Sequence, residues 1–252
     1  MKFQKLTALL LAATLPLSAY AQDAGQRSPE YQNPERVVHE VIAPAEDPWP
    51  FAESDLPVDP EYRFGVLANG MRYIIRPNGT PEGQGMVHMR VNAGSFGEED
   101  DQLGYAHFLE HMAFNGSTRI PEGEMVSLLE REGLAFGPDT NAYTTFDETV
   151  YMLNLPRNDA DLLDTALMIM RETASELTIA PDAVAREIGV IESERRVRDT
   201  YQLRNAKDEY EFFFPGSRLD THWPVGTQET IAAATSQRIR HYYERWYRPD
   251  NT

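Results

Sequence analysis

His107-Phe108-Leu109-Glu110-His111 brings two imidazoles and a carboxylate close together in the chain. On a helix, histidines four residues apart share a face, and Glu110, three residues after His107, projects beside them. Imidazole nitrogen is a good donor to zinc, and a catalytic zinc site takes three protein donors while keeping a position for water. The order His-x-x-Glu-His is the inverted form of the helical zinc-peptidase motif. Leu103, Phe108, Leu109, Met112 and Phe114 surround it on nearly all sides, the pattern of a helix inside a core. Burying three ionisable groups there without partners would cost several kcal/mol, and a bound cation is the simplest way to offset it.

A third donor must come from elsewhere. Pro181 suits a first helical position, Asp182 suits a first turn, and no proline interrupts before Pro215, which predicts one long helix. Along it, Glu187, Val190, Ile191 and Glu194 form a single stripe with two carboxylates. Glu192 lies about 140 degrees round the helix from Glu187 and points away. Spacing therefore leaves Glu194 and Glu187 as the candidates, against the alternative of a solvated charged face over Glu192 to Arg198.

Three separated segments resemble the pitrilysin or insulinase family of zinc metallopeptidases. These are Gly104 to Gly116 around the histidine motif, Asn141 to Tyr151, and Glu187 to Glu194, in the family's order. The resemblance covers roughly Phe64 to the end of the chain. It implies His107, His111 and Glu194 as zinc ligands and Glu110 as the general base. Glu187 would orient a histidine or tune the charge of the site. The gap from His111 to Glu194 is several residues longer than the family's usual one, which implies an insertion between the two helices. Asn141 and Ala142 would lie where the family presents a strand edge to an extended substrate. The resemblance further implies a homologous second domain, or a partner subunit, that closes a chamber around the peptide. It also extends to proteins that have lost activity, so a non-catalytic scaffold or partner subunit is the alternative to a zinc peptidase. Donor type restricts the metal without settling it, and zinc is the expectation.

With 252 residues, 41% of them hydrophobic, the chain can build one sizeable domain. Lys2 and Lys5 precede an apolar stretch from Leu6 to Leu17 that ends in Ala19-Tyr20-Ala21, a secretory signal with cleavage expected near Ala21 and too short for a membrane span. Residues 22–60, rich in Pro, Glu, Asp and Gln, read as an extended linker, and residues 61–252 as the peptidase domain, C-terminally truncated. The absence of cysteine excludes disulfides and a lipidated-cysteine anchor. These features point to the periplasm, or to secretion. A net charge of −17 argues against nucleic acid as a partner and favours peptide substrates that are neutral or basic. Gly97-Glu98-Glu99-Asp100-Asp101 reads as a solvated loop.

The remaining pattern supplies the scaffold. Asn69-Gly70 between Phe64-Leu67 and Met71-Ile75 is a hairpin signal. Met86–Val91 and Val150–Leu155 read as strands. Helices are expected from about Pro121 to Glu132, through a stripe of Leu162, Leu163, Ala166, Leu167 and Met170, and across Ile239, Tyr242, Tyr243 and Trp246. Together they predict an α+β fold, with helices packed on a largely antiparallel mixed sheet. His39, His88, His222 and His241 show no ligand spacing.

Overall fold

The computed structural model describes residues 49, 51, 54–135, 137 and 139–252. The expected signal segment, and residues 22–48 of the expected linker, lie outside the described residues. Trp49 and Phe51, from the last part of that linker, bring their rings to 5.0 and 4.6 Å from the ring of Phe64.

The fold is α+β. Among the described residues there are two small sheets, and every strand pairing in them is antiparallel. Strands β1 (Arg63–Val66) and β2 (Arg72–Ile75) form the expected hairpin, with Val66 opposite Arg72. Its turn is closed by the Gly70 N–H on the Leu67 carbonyl at 2.9 Å, and Gly70 takes the left-handed conformation (φ 89°) that glycine adopts without steric cost. The second sheet has the order β3-β5-β4, from β3 (Gly85–Val91), β5 (Thr149–Leu155) and β4 (Thr140–Thr144). Strand β5 is central and almost wholly buried. Strand β4 is an edge.

The motif helix α1 (Tyr105–Met112) lies against β4 and β5 on one side and is covered by two later helices, α4 (Pro181–Arg198) and α8 (Ser236–Trp246). Between them run α2 (Glu124–Arg131) and α3 (Ala160–Ser175). Helix α3 starts at the Asp159 side chain, which accepts from the Leu162 N–H, and packs on β3 and β5. It buries Leu162, Ala166, Ile169 and Met170, whereas Leu163 and Leu167 stay exposed, so its apolar stripe is narrower than the sequence suggests and is rotated toward Ile169.

The long helix expected from Pro181 is two helices. Helix α4 stops at Arg198, and α5 (Tyr201–Phe213) restarts behind Thr200, whose hydroxyl accepts from the Leu203 N–H. A good N-cap residue in the middle of the run ends the first helix without any proline. Short helices α6 (Arg218–Thr221) and α7 (Gln228–Ala232) lead into α8. Among the described residues, no helix is long and apolar enough to cross a membrane.

Candidate metal centre

Helix α1 begins where side chains cannot fit. Gly104 has φ 92°, and a Cβ there would lie 2.8 Å from Ile231 Cδ1 and 2.9 Å from Gly226 Cα. No side chain at that position caps the helix. The open N–H groups of Gly104 and Ala106 are instead taken by the carboxylate of Glu98, each at 2.8 Å. Glu98 is fully buried, which corrects the reading of Gly97 to Asp101 as a solvated loop. Glu99, Asp100 and Asp101 are exposed as expected, but Glu98 is drawn in by unpaired donors at the positive end of a helix. Burial pushes its carboxyl up to about 8, against the pull of N–H groups from Ala106, Gly104 and Tyr105 and the charge of Arg218.

The helix so anchored buries Tyr105, Ala106, Phe108, Leu109 and Met112, with His107 among them, and turns Glu110 and His111 toward a partly open face. Across that face, Ile191 is fully buried and fixes the rotation of α4. Glu187 and Glu194, one turn to either side of it along the same stripe, therefore meet α1. Glu192 points away as expected and pairs with Arg195 at 3.1 Å.

The donor atoms converge. His107 Nε2 and His111 Nε2 are 3.3 Å apart, Glu194 Oε2 is 3.2 Å from His111 Nε2, and Glu194 Oε1 is 3.6 Å from His107 Nε2. Four-coordinate zinc with bonds of about 2.0–2.1 Å has neighbouring donors about 3.3–3.4 Å apart, the edge of its tetrahedron. The His107–His111 and His111–Glu194 separations are close to that edge, and the other Glu194 oxygen faces His107 at a slightly longer distance. His107 is nearly inaccessible, and its Nδ1 has no hydrogen-bond partner among the described residues. A buried imidazole directed at another imidazole and a carboxylate suits a shared cation, and these three residues fit zinc.

Glu187 stands behind His111, with Oε1 2.7 Å from Nδ1. Its other oxygen accepts from Asn115 Nδ2 at 3.2 Å, and the same amide donates to the His111 carbonyl at 3.0 Å. Of the two carboxylates left open by spacing, Glu194 is thus within reach of both histidines, while Glu187 braces one ring from its far side. Burial would hold His111 below the ordinary imidazole value, but hydrogen bonds to Glu187 and Glu194 and the charge of Glu110 push it up to about 10. Burial would raise Glu194, yet the two histidines hold it well below the carboxylate range. Arg198, one turn further along α4, also contacts the Glu194 carboxylate. The site therefore carries more negative charge than its imidazoles neutralise unless they bind protons or a cation.

Glu110 Oε2 accepts from the Thr144 hydroxyl at 2.6 Å. Asn141 and Ala142 lie three and two residues before Thr144 on β4, opposite Met152 and Tyr151 of β5. The Asn141 side chain bonds the Ala142 N–H at 2.9 Å. Sequence reasoning missed Glu98, Asn115, Arg198 and Thr144. Arg198 sits four residues after Glu194 on the same helix, and Asn115 four after His111 in the turn that follows α1, a spacing that could have found them.

Residues 73–210 match the family described as Insulinase (Peptidase family M16). The chain belongs to this family. Among its insulinase-family relatives, the probable zinc protease PqqL of Haemophilus influenzae is 38% identical over 198 residues, 79% of this chain and 21% of that protein. The chloroplastic stromal processing peptidase of Pisum sativum is 34% identical over 80% of this chain and 15% of its own length. The solved first half of the periplasmic protease PqqL from Escherichia coli superposes with a TM-score of 0.75 at 37% identity, covering 78% of this chain and 42% of that one. The chain spans about a fifth of the length of the curated PqqL relatives it matches. Zinc is the cofactor that these relatives and the His107-His111-Glu194 donor set together support.

Proposed function

We propose that this chain carries the catalytic half-site of a zinc peptidase that hydrolyses peptide bonds in exported peptides or small proteins. The observation that carries the reading is the convergence of His107, His111 and Glu194 at separations of 3.2 to 3.6 Å, next along α1 to the Glu110 carboxylate. Held there, zinc supplies Lewis acidity, polarising a carbonyl and lowering the pKa of water toward neutrality.

The chain's own residues do the rest. His107 and His111 bind as neutral imidazoles, and Glu187 accepts a hydrogen bond from His111 Nδ1–H, which fixes the ring and keeps Nε2 directed inward. Glu194 contributes a single negative charge, so the centre stays net positive. Glu110 removes a proton from the attacking water and returns it to the leaving amine. Hydrolysis on these lines needs no covalent enzyme intermediate. The edge of β4 at Asn141 and Ala142 offers main-chain groups to an extended peptide, a mode that gives affinity with little sequence selectivity.

The short span relative to the relatives supports a homologous second domain, or a partner subunit, that completes the chamber. The leading segment through Ala21 and a periplasmic solved relative support export. Substituting Glu110→Gln in the full-length protein should leave zinc bound, by elemental analysis, and abolish cleavage of a quenched peptide. Cleavage by that variant would remove the general-base assignment. Zinc bound to wild type without any cleavage would instead make the chain a scaffold.

A further inference from the structure

The Thr144 hydroxyl is the hydrogen-bond donor recorded to the Glu110 side chain among the described residues, and at 2.6 Å the bond has the length of a charge-assisted O–H···O⁻ contact. A glutamate has three side-chain torsions. Left free beside a metal centre, its carboxylate would sample several orientations, of which few direct an oxygen at the attacking water, and misplacement by about 1 Å can cost on the order of a hundredfold in rate. One oxygen held by Thr144 leaves the other to accept the proton.

The placement of that hydroxyl is fixed by the sheet. Thr144 ends β4 opposite Thr149, and side chains along a strand alternate, so Thr140, Ala142 and Thr144 share one face. That face is the one turned to α1: Thr140 is buried and Ala142 packs on the core. The β4 edge proposed to take substrate thus also supplies the group that holds the base. Two buried tyrosines, Tyr151 and Tyr247, lie within reach of the Glu110 charge, and their hydroxyls are hydrogen-bonded to each other at 2.6 Å. Burial, first of all, keeps both protonated, and the Glu110 charge acts in the same direction.

We infer that Thr144 is a positioning residue for peptide hydrolysis, orienting the Glu110 carboxylate from the strand that would bind substrate. The inference rests on Glu110 acting as the base. Its test compares Thr144→Val, which keeps the branched shape a strand favours but removes the hydroxyl, with Thr144→Ser, which keeps the hydroxyl. In the full-length protein, T144V should lower kcat about tenfold or more, with KM within about twofold and zinc content and unfolding midpoint unchanged. T144S should recover kcat to within about threefold of wild type. Crystal structures should show Glu110 in one orientation, bonded to residue 144, in wild type and T144S, and turned away in T144V. A T144V variant with kcat near wild type, a T144S variant no better than T144V, or an unmoved Glu110 in T144V would overturn the assignment. If E110Q is inactive while T144V is unaffected, this inference alone fails. If E110Q still cleaves, the base reading fails and takes this inference with it.

Discussion

Replacing Glu98 by glutamine tests how the metal helix is held. Even when protonated, the carboxyl keeps acceptor lone pairs on both oxygens for the two backbone N–H groups at 2.8 Å, whereas an amide offers one oxygen and sets its NH2 against the second donor. Leaving one buried donor unpaired costs about 1–3 kcal/mol, so at pH 5 the variant should be less stable by roughly that amount. The comparison changes with pH. Folding raises the proton affinity of Glu98, from an ordinary 4.5 to about 8, so its penalty is absent below about 4.5, grows as pH rises, and is complete above about 8. The slope is at most about 1.4 kcal/mol per pH unit, and the interval between the two values sets a ceiling of about 5 kcal/mol. Glutamine does not titrate. The bonds from Arg218 and His222 to the Glu98 carbonyl, at 2.9 and 3.2 Å, are common to both proteins, and the pull of the Arg218 charge on the carboxylate is already contained in the raised value. Urea unfolding of wild type and Glu98→Gln at pH 5, 6.5, 8 and 9 should therefore show wild type losing its advantage as pH rises, the curves converging or crossing by pH 9. Curves that stay parallel across that range would refute the argument that burial dominates this carboxyl.

Three further outcomes follow from the site and its core. Glu187→Gln should weaken zinc binding about 10- to 100-fold, measured by chelator competition, because His111 loses the partner that fixes its ring. With His111 pushed up to about 10, it carries a proton at pH 7 that zinc must displace, so calorimetric titrations in buffers of different ionisation enthalpy should show about one proton released per zinc, with affinity falling as pH drops. Phe108→Ala, at a fully buried position in α1, should destabilise the fold by about 3–5 kcal/mol in urea unfolding.

Much of this site could be read from spacing alone because its residues obey helical periodicity. His107, Glu110 and His111 are neighbours on one helix, and Glu187 and Glu194 share a stripe on another whose rotation Ile191 fixes. The Asn69-Gly70 turn was likewise legible, since its local chemistry specifies it. Glu98 was not. It sits in a run of four acids, and only the three-dimensional approach to the Gly104 and Ala106 amides distinguishes it from its exposed neighbours. Thr144 was hidden for the same reason, one threonine of several around a strand end, given meaning by α1 passing over it. The break between α4 and α5 did have a local signal, Thr200 in a capping position, which the absence of proline overshadowed. The exposed Leu163 and Leu167 show that an apolar stripe names a helix more securely than it names the buried side.

Helix α1 is only eight residues long. Isolated helices shorter than about 12–15 residues barely persist in water, so its shape is lent by the sheet beneath, the helices above, and a carboxylate from outside its own span. A synthetic peptide containing His107 to His111 would have no preset donor geometry, and grafting those five letters onto a foreign surface helix would transplant the chemistry's vocabulary without its grammar.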